Sequence, residues 1–122
     1  MLTVEKPSPN RVDLHLRGAL NSETMRAALD DFVAACEGVE KGRMIYEIAD
    51  FKLPTLGALV VELSRLPELF GLLRRFHKCA VLCDTDWIRS AADFEGDLLP
   101  GVQVRTYKTA QRREAEAWLD DV

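Results

Sequence analysis

Two short, nearly continuous apolar runs dominate the middle of the chain. Arg43 to Ala49 holds Met44, Ile45, Tyr46 and Ile48, and His77 to Asp84 holds a second run. Runs of this length suit strands covered on both faces, whereas a strand with one wet face alternates. Alternation of that kind stands just upstream, where Val12, Leu14 and Leu16 are interleaved with Asp13, His15 and Arg17, and Gly18 closes the strand. Residues 1–5 read as a short edge strand, ended by Pro7 and Pro9, which cannot donate to a ladder. The two segments form a hairpin. Helical periods fill the gaps. Asn21 or Ser22 caps a helix carrying Met25, Leu29, Phe32, Val33 and Cys36, with Gly38 as its stop. A turn over Asp50–Thr55 leads into a long apolar segment, Leu56–Arg75. Thr85–Phe94 reads as a short helix, Val102–Tyr107 as a strand and Thr109–Asp120 as an amphipathic helix. The order β-β-α-β-α-β-α-β-α predicts an α/β domain spanning 1–122, with helices packed on a mixed β-sheet that starts with a hairpin.

With 122 residues, 48% of them hydrophobic and 30% charged, the chain can bury a core without metal or disulfide staples. The net charge of −4 is a poor footprint for nucleic acid. No apolar run approaches the ~20 residues that span a bilayer, and MLTVEKPSPN lacks the layout of a signal peptide. A cytoplasmic location is expected. Cys36, Cys79 and Cys83 fit free thiols that pack in the core. Cys79 and Cys83 point to one face of a strand roughly 13 Å apart, too far for a disulfide.

Several clusters, in order over residues 10–120, resemble the SpoIIAA-like family of STAS domain proteins, within the STAS and CRAL-TRIO grouping. They are Gly18-Ala19-Leu20, Glu47-Ile48-Ala49-Asp50-Phe51, Asp84 with Trp87 and Ile88, Leu99-Pro100-Gly101 with Val104-Arg105-Thr106-Tyr107, and Glu116-Ala117-Trp118-Leu119. The resemblance implies the STAS-like fold. In regulatory members of the group it also implies a phosphorylatable serine after the third strand, in an Asp-Ser-Ser-Gly pattern. Here that loop reads Asp50-Phe51-Lys52-Leu53-Pro54-Thr55-Leu56-Gly57, and the pattern is absent. Thr55 is its only hydroxyl, placed to cap a helix or to accept a phosphate worth about −1.5 to −2 charges.

The resemblance further implies association with a hydrophobic ligand or a membrane surface through the following segment. At ~100° per residue, Leu56, Leu59, Val60, Leu63, Leu66, Phe70 and Leu73 form one stripe, which we expect to face the core. Ala58, Val61, Leu69 and Leu72 fall nearly opposite, among Glu62, Arg65 and Glu68. Pro67 breaks or bends the segment, so the second set is either buried by a change of helix phase, a homodimer interface, or a lipid contact. Arg74, Arg75, His77 and Lys78 follow, suiting an anionic headgroup or simply a helix C-terminus.

Catalytic patterns are missing: His15 and His77 are the only histidines, and no nucleophile triad, H-E-x-x-H, phosphate loop or dinucleotide fingerprint occurs. Asp84 and Asp86 suit helix capping better than a cation. The expectation is a non-enzymatic domain with no cofactor and no metal, binding a hydrophobic small molecule or lipid, with at most peripheral membrane contact. Its site is Asp50, Phe51, Thr55 and Leu56, with Val61, Leu69 and Leu72 as apolar contacts and Arg74 and Arg75 as anion partners. The alternative is a partner-switching regulator of anti-sigma-factor-antagonist type that docks a protein through the same loop and is modified at Thr55. A homodimer is compatible with both.

Overall fold

The computed structural model describes residues 2–52, 55–86 and 101–121. Strands β1 (Leu2–Ser8), β2 (Arg11–Gly18), β3 (Gly42–Phe51), β4 (Phe76–Cys83) and β5 (Gln103–Tyr107) form one sheet, ordered as in the chain. β1 pairs antiparallel with β2, and every other neighbour pairs parallel. Helices α1 (Ser22–Ala35), α2 (Leu56–Ser64) and α3 (Leu66–Leu73) lie between strands, and α4 (Arg112–Asp120) follows β5 after a 3-10 turn. This is the mixed α/β sheet with an opening hairpin that the periodicities predict. The helix expected over Thr85–Phe94, beyond Asp86, lies outside the described residues with Trp87, Ile88, Leu99 and Pro100.

Pro7 does not end β1. The strand runs on to Ser8 with a register slip between Glu5 and Ser8, and an edge strand tolerates proline because its outer side completes no ladder. β3 shows why its sequence reads as a continuous apolar run. Met44 faces α1 with Val12, Leu14, Phe32 and Phe76, while Ile45 faces α4 with Ala80, Leu82, Ala115, Trp118 and Leu119. Gly42, at the start of β3, has no room for a side chain: an added Cβ would lie 2.4 Å from Val39 and 3.2 Å from the Asn10 carbonyl oxygen.

α1 begins at a capping box, in which the Asn21 side chain accepts from the Thr24 N–H and the Thr24 hydroxyl accepts from the Asn21 N–H, each at 2.9 Å. Its inner face is Met25, Ala28, Leu29 and Phe32. Cys36 and Cys83 are buried and Cys79 half-buried, all as free thiols. Burial pushes the Cys36 thiol up to about 11.

The Leu56–Arg75 segment is two helices. α2 stops at Ser64, Arg65 caps it, and α3 carries Pro67 in its first turn. Proline tolerates that position because first-turn N–H groups have no helical partner, whereas in an unbroken helix it would lack the bond to Leu63.

Candidate docking face

The loop from β3 to α2 is held by the loop from β2 to α1. Lys52 N–H donates to the Gly18 carbonyl at 3.4 Å and Thr55 N–H to that of Leu20 at 2.9 Å. Asp50 is exposed and turns the chain with φ +47, a left-handed conformation that Asp tolerates better than most residues. Thr55 is the N-cap of α2, its hydroxyl accepting from the Ala58 N–H at 3.2 Å. Cap and anchor together set the rotation of α2 about its axis.

That rotation is opposite to the expected one. Ala58 and Val61 are buried, packed with Leu16, Leu20, Met25 and Leu29. Leu56 is 72% exposed, Leu59 41%, Val60 63% and Leu63 63%. The α2 part of the stripe expected in the core therefore faces outward, whereas Leu73 on α3 packs against the core as expected and the Phe70 side chain lies outside the described residues. Val61, placed among the binding contacts, belongs to the core. Leu69 and Leu72 on α3 are half-buried and pack inward as well. The reason is the closeness of α1. Gly57 stands where an added Cβ would come within 3.2 Å of Ser22 Cβ, so small residues, not the larger ones, occupy the helix–helix contact. The pair Gly57-Ala58 was the available signal, since small residues mark close approach.

Farther along, Arg65 ties both helices together, donating to Asp30 of α1 at 2.7 Å and to Glu68 at 3.1 Å. The hydrogen bond to Asp30 leads in raising the Arg65 pKa. These contacts place acidic groups at the C-terminal end of α2, while exposed Lys52 lies before its N-terminus.

Arg74 and Arg75 do not join this face. Arg75 donates to the Cys36 carbonyl at 3.0 Å, and its own carbonyl accepts from Gly42 N–H at the start of β3. Asp50 and Phe51 end that ten-residue strand, ~30 Å away at ~3.3 Å per residue. The expected composite of Asp50, Thr55 and the two arginines is thus split between opposite ends of the sheet.

The other sheet face carries a charge network that the sequence does not announce. Arg11 donates to Asp13 at 2.6 Å and to both Glu116 carboxylate oxygens at 2.6 and 3.1 Å. Arg112 donates to Glu47 at 2.9 Å and lies 3.8 Å from Asp13. Burial opposes the Arg11 charge, but the bonds to Glu116 and Asp13 outweigh it and raise its pKa. The bond from Arg11 holds the Glu116 carboxyl below the usual range. Buried Lys78 caps the end of α4, donating to the carbonyls of Trp118 and Asp121. Asp84 accepts from Thr109 N–H at 3.0 Å and hydroxyl at 2.7 Å, tying β4 to the turn before α4. Among the described residues no group of three or more His, Cys, Asp or Glu side chains is gathered to hold a metal, and no helix is long and apolar enough to cross a membrane.

The SpoIIAA-like family model matches residues 11–120. The chain belongs to the SpoIIAA-like family. Its fold is similar to that of an uncharacterized Shewanella loihica PV-4 protein with a SpoIIAA-like fold, at TM-score 0.74 and 16% identity over 98% of this chain and 92% of that one. The anti-sigma factor antagonist SpoIIAA in its unphosphorylated form aligns at TM-score 0.55 and 16% identity, over 100% of both chains. The Bacillus cell fate determinant SpoIIAA in its phosphorylated form gives 0.52 and 19%, over 93% of this chain and 99% of that one. No curated protein matches the chain. At these identities the likeness shows the SpoIIAA-like fold, with a five-stranded mixed sheet.

Proposed function

We propose that this SpoIIAA-like domain is a non-enzymatic, cytoplasmic docking module that presents the outer stripe of α2 and the adjoining β3–α2 loop to the apolar surface of a protein partner. One observation carries the reading: Leu56, Leu59, Val60 and Leu63 stand in solvent on a helix whose rotation is fixed by a cap and a loop anchor. Contiguous apolar patches of ~300–600 Å² on a monomer are often functional.

The stripe is the solvent-facing side of a helix, so it suits an opposing surface better than an enclosed small molecule. A lipid surface fits less well than a protein. α2 carries Glu62 and no basic residue, whereas helices that lie on anionic membranes flank their apolar face with Lys and Arg. The place of the loop, at the carboxyl end of a parallel strand, is where α/β sheets commonly bind. SpoIIAA, described as an anti-sigma factor antagonist and solved with and without phosphate, supports a regulated partner of this kind. Thr55 is the residue we assign to modification. Its hydroxyl is at the start of the docking helix, and a phosphate there would place about −1.5 to −2 charges beside Leu56.

A photocrosslinking side chain at Leu63, expressed in cells of the source organism, tests the reading. A discrete protein adduct that Val60→Asp abolishes is expected. Adducts no different from those of a crosslinker on the outer face of α4 would overturn it.

A further inference from the structure

We infer that the surface docking on α2 is the α2 of a second copy of this chain, the two helices antiparallel across a two-fold axis near Val60. This rests on the docking reading above and names the occupant of that face. The stripe is self-complementary under that operation. Leu56 of one copy meets Leu63 of the other, Leu59 and Val60 meet their own counterparts, and the helix dipoles oppose.

Charge supports the same arrangement. Lys52 precedes α2 and Glu68 follows it, each eight residues from Val60, and both are exposed. An antiparallel pair brings Lys52 of each copy toward the acidic end of the other, where Asp30 and Glu68 already outnumber Arg65. A parallel pair would set acid against acid, and an anionic bilayer would meet Glu62 and Glu68 with like charge.

The area is adequate for a reversible dimer. Four side chains at 41–72% exposure present roughly 400–500 Å² of apolar surface per copy, within the range of functional patches. Doubled by symmetry and extended by the rim at Lys52, Ser64 and Glu68, the contact reaches about 1,000–1,200 Å². That is the lower end of specific interfaces, where association is weak.

Sedimentation of the full chain over a concentration series tests this, with thermal unfolding of each variant as the control for folding. The wild type is expected to pass from monomer to dimer, and Val60→Asp to weaken dimerisation ~10-fold or more. Lys52→Glu and Glu68→Lys should each weaken it by about 3–5-fold, and the double exchange should restore it. A strictly monomeric wild type at ~1 mM overturns the inference, as does a dimer indifferent to Val60→Asp, or charge variants whose effects add instead of cancelling. Monomer that floats with vesicles of mixed phosphatidylglycerol and phosphatidylcholine, and ceases to with Val60→Asp, also overturns it in favour of a membrane. A crosslink from Leu63 to a different protein, with no self-adduct, leaves the docking reading standing and removes the second copy.

Discussion

α2 and α4 are each nine residues long, yet they dispose of apolar side chains in opposite ways. α4 is the more polar helix and the better anchored. It turns Ala115, Trp118 and Leu119 onto the sheet and fastens its polar side through Arg112 and Glu116. α2 is far more apolar, but only Ala58 and Val61 of it are buried, and four large side chains stand in solvent. Hydrophobic content alone is therefore no measure of attachment to the core. α4 is held on the sheet by packing and ion pairs, whereas α2 leaves most of its large apolar side chains in solvent.

The widest separation between the two should come from large-to-small changes. Trp118→Ala removes a buried ring packed against Tyr107, with Lys78 and Arg105 each over the ring at 5.1 and 5.0 Å from its centre, and should cost ~3–5 kcal/mol in denaturant unfolding. Leu63→Ala on α2 should stay within ~0.5 kcal/mol in the same measurement, because the side chain is already hydrated. Comparable losses at both positions would mean that α2 is seated as α4 is.

Next in size is the charge network that holds α4. Arg11→Ala leaves the Asp13 carboxylate, 4% exposed, facing, among the described residues, the more distant Arg112 at 3.8 Å. A loss of about 2–3 kcal/mol is expected, below the ~3–5 of a fully buried pair because Glu116 is partly solvated. Pairing Arg11→Met with Asp13→Asn should recover much of it, since the penalty lies in the orphaned charge.

On α2 the corresponding device is the cap. Thr55→Ala should cost ~1 kcal/mol, and Thr55→Asp should keep the stability because a carboxylate also accepts from the Ala58 N–H. If Thr55→Asp folds as well as wild type but fails to yield the Leu63 crosslink, the two roles of that position are separated. Retention of the crosslink would remove the case for a charge switch there.

How much of this was legible in the sequence follows from the range of the interactions. Period-2 and period-3.6 patterns are local, so the strands, helices and sheet class are readable from Val12–Arg17, Met44–Ile48 and the helical spacing of Met25, Leu29 and Phe32 in α1. The break at Pro67 is equally local. The rotation of α2 is harder to read, because both of its faces are apolar and counting large residues cannot choose between them; the local sign is the small pair Gly57-Ala58, whose meaning depends on the nearness of Ser22 on α1. The Arg11–Glu116 pair is farther still from legibility, joining residues 105 positions apart. Arg74 and Arg75 follow the apolar segment along the chain, but α3 carries them back to the other end of β3 from the loop.

The smallest effect is a pH dependence that belongs to one helix alone. The folded Glu116 carboxyl is held below its ordinary value of 4.5, first by the hydrogen bond from Arg11. Its contribution is therefore complete above that value, where it is ionised in both states. As pH falls below about 4.5 the unfolded chain takes up the proton first, and the contribution declines until the folded carboxyl is protonated too. Stability should therefore drop on acidification more steeply in the wild type than in Glu116→Gln, with parallel curves between pH 5 and ~7 read by urea unfolding. Glu116 is substantially exposed, so solvent screening keeps the difference small. A Glu116→Gln protein that loses stability in acid as steeply as the wild type would mean the network does not distinguish α4 from α2.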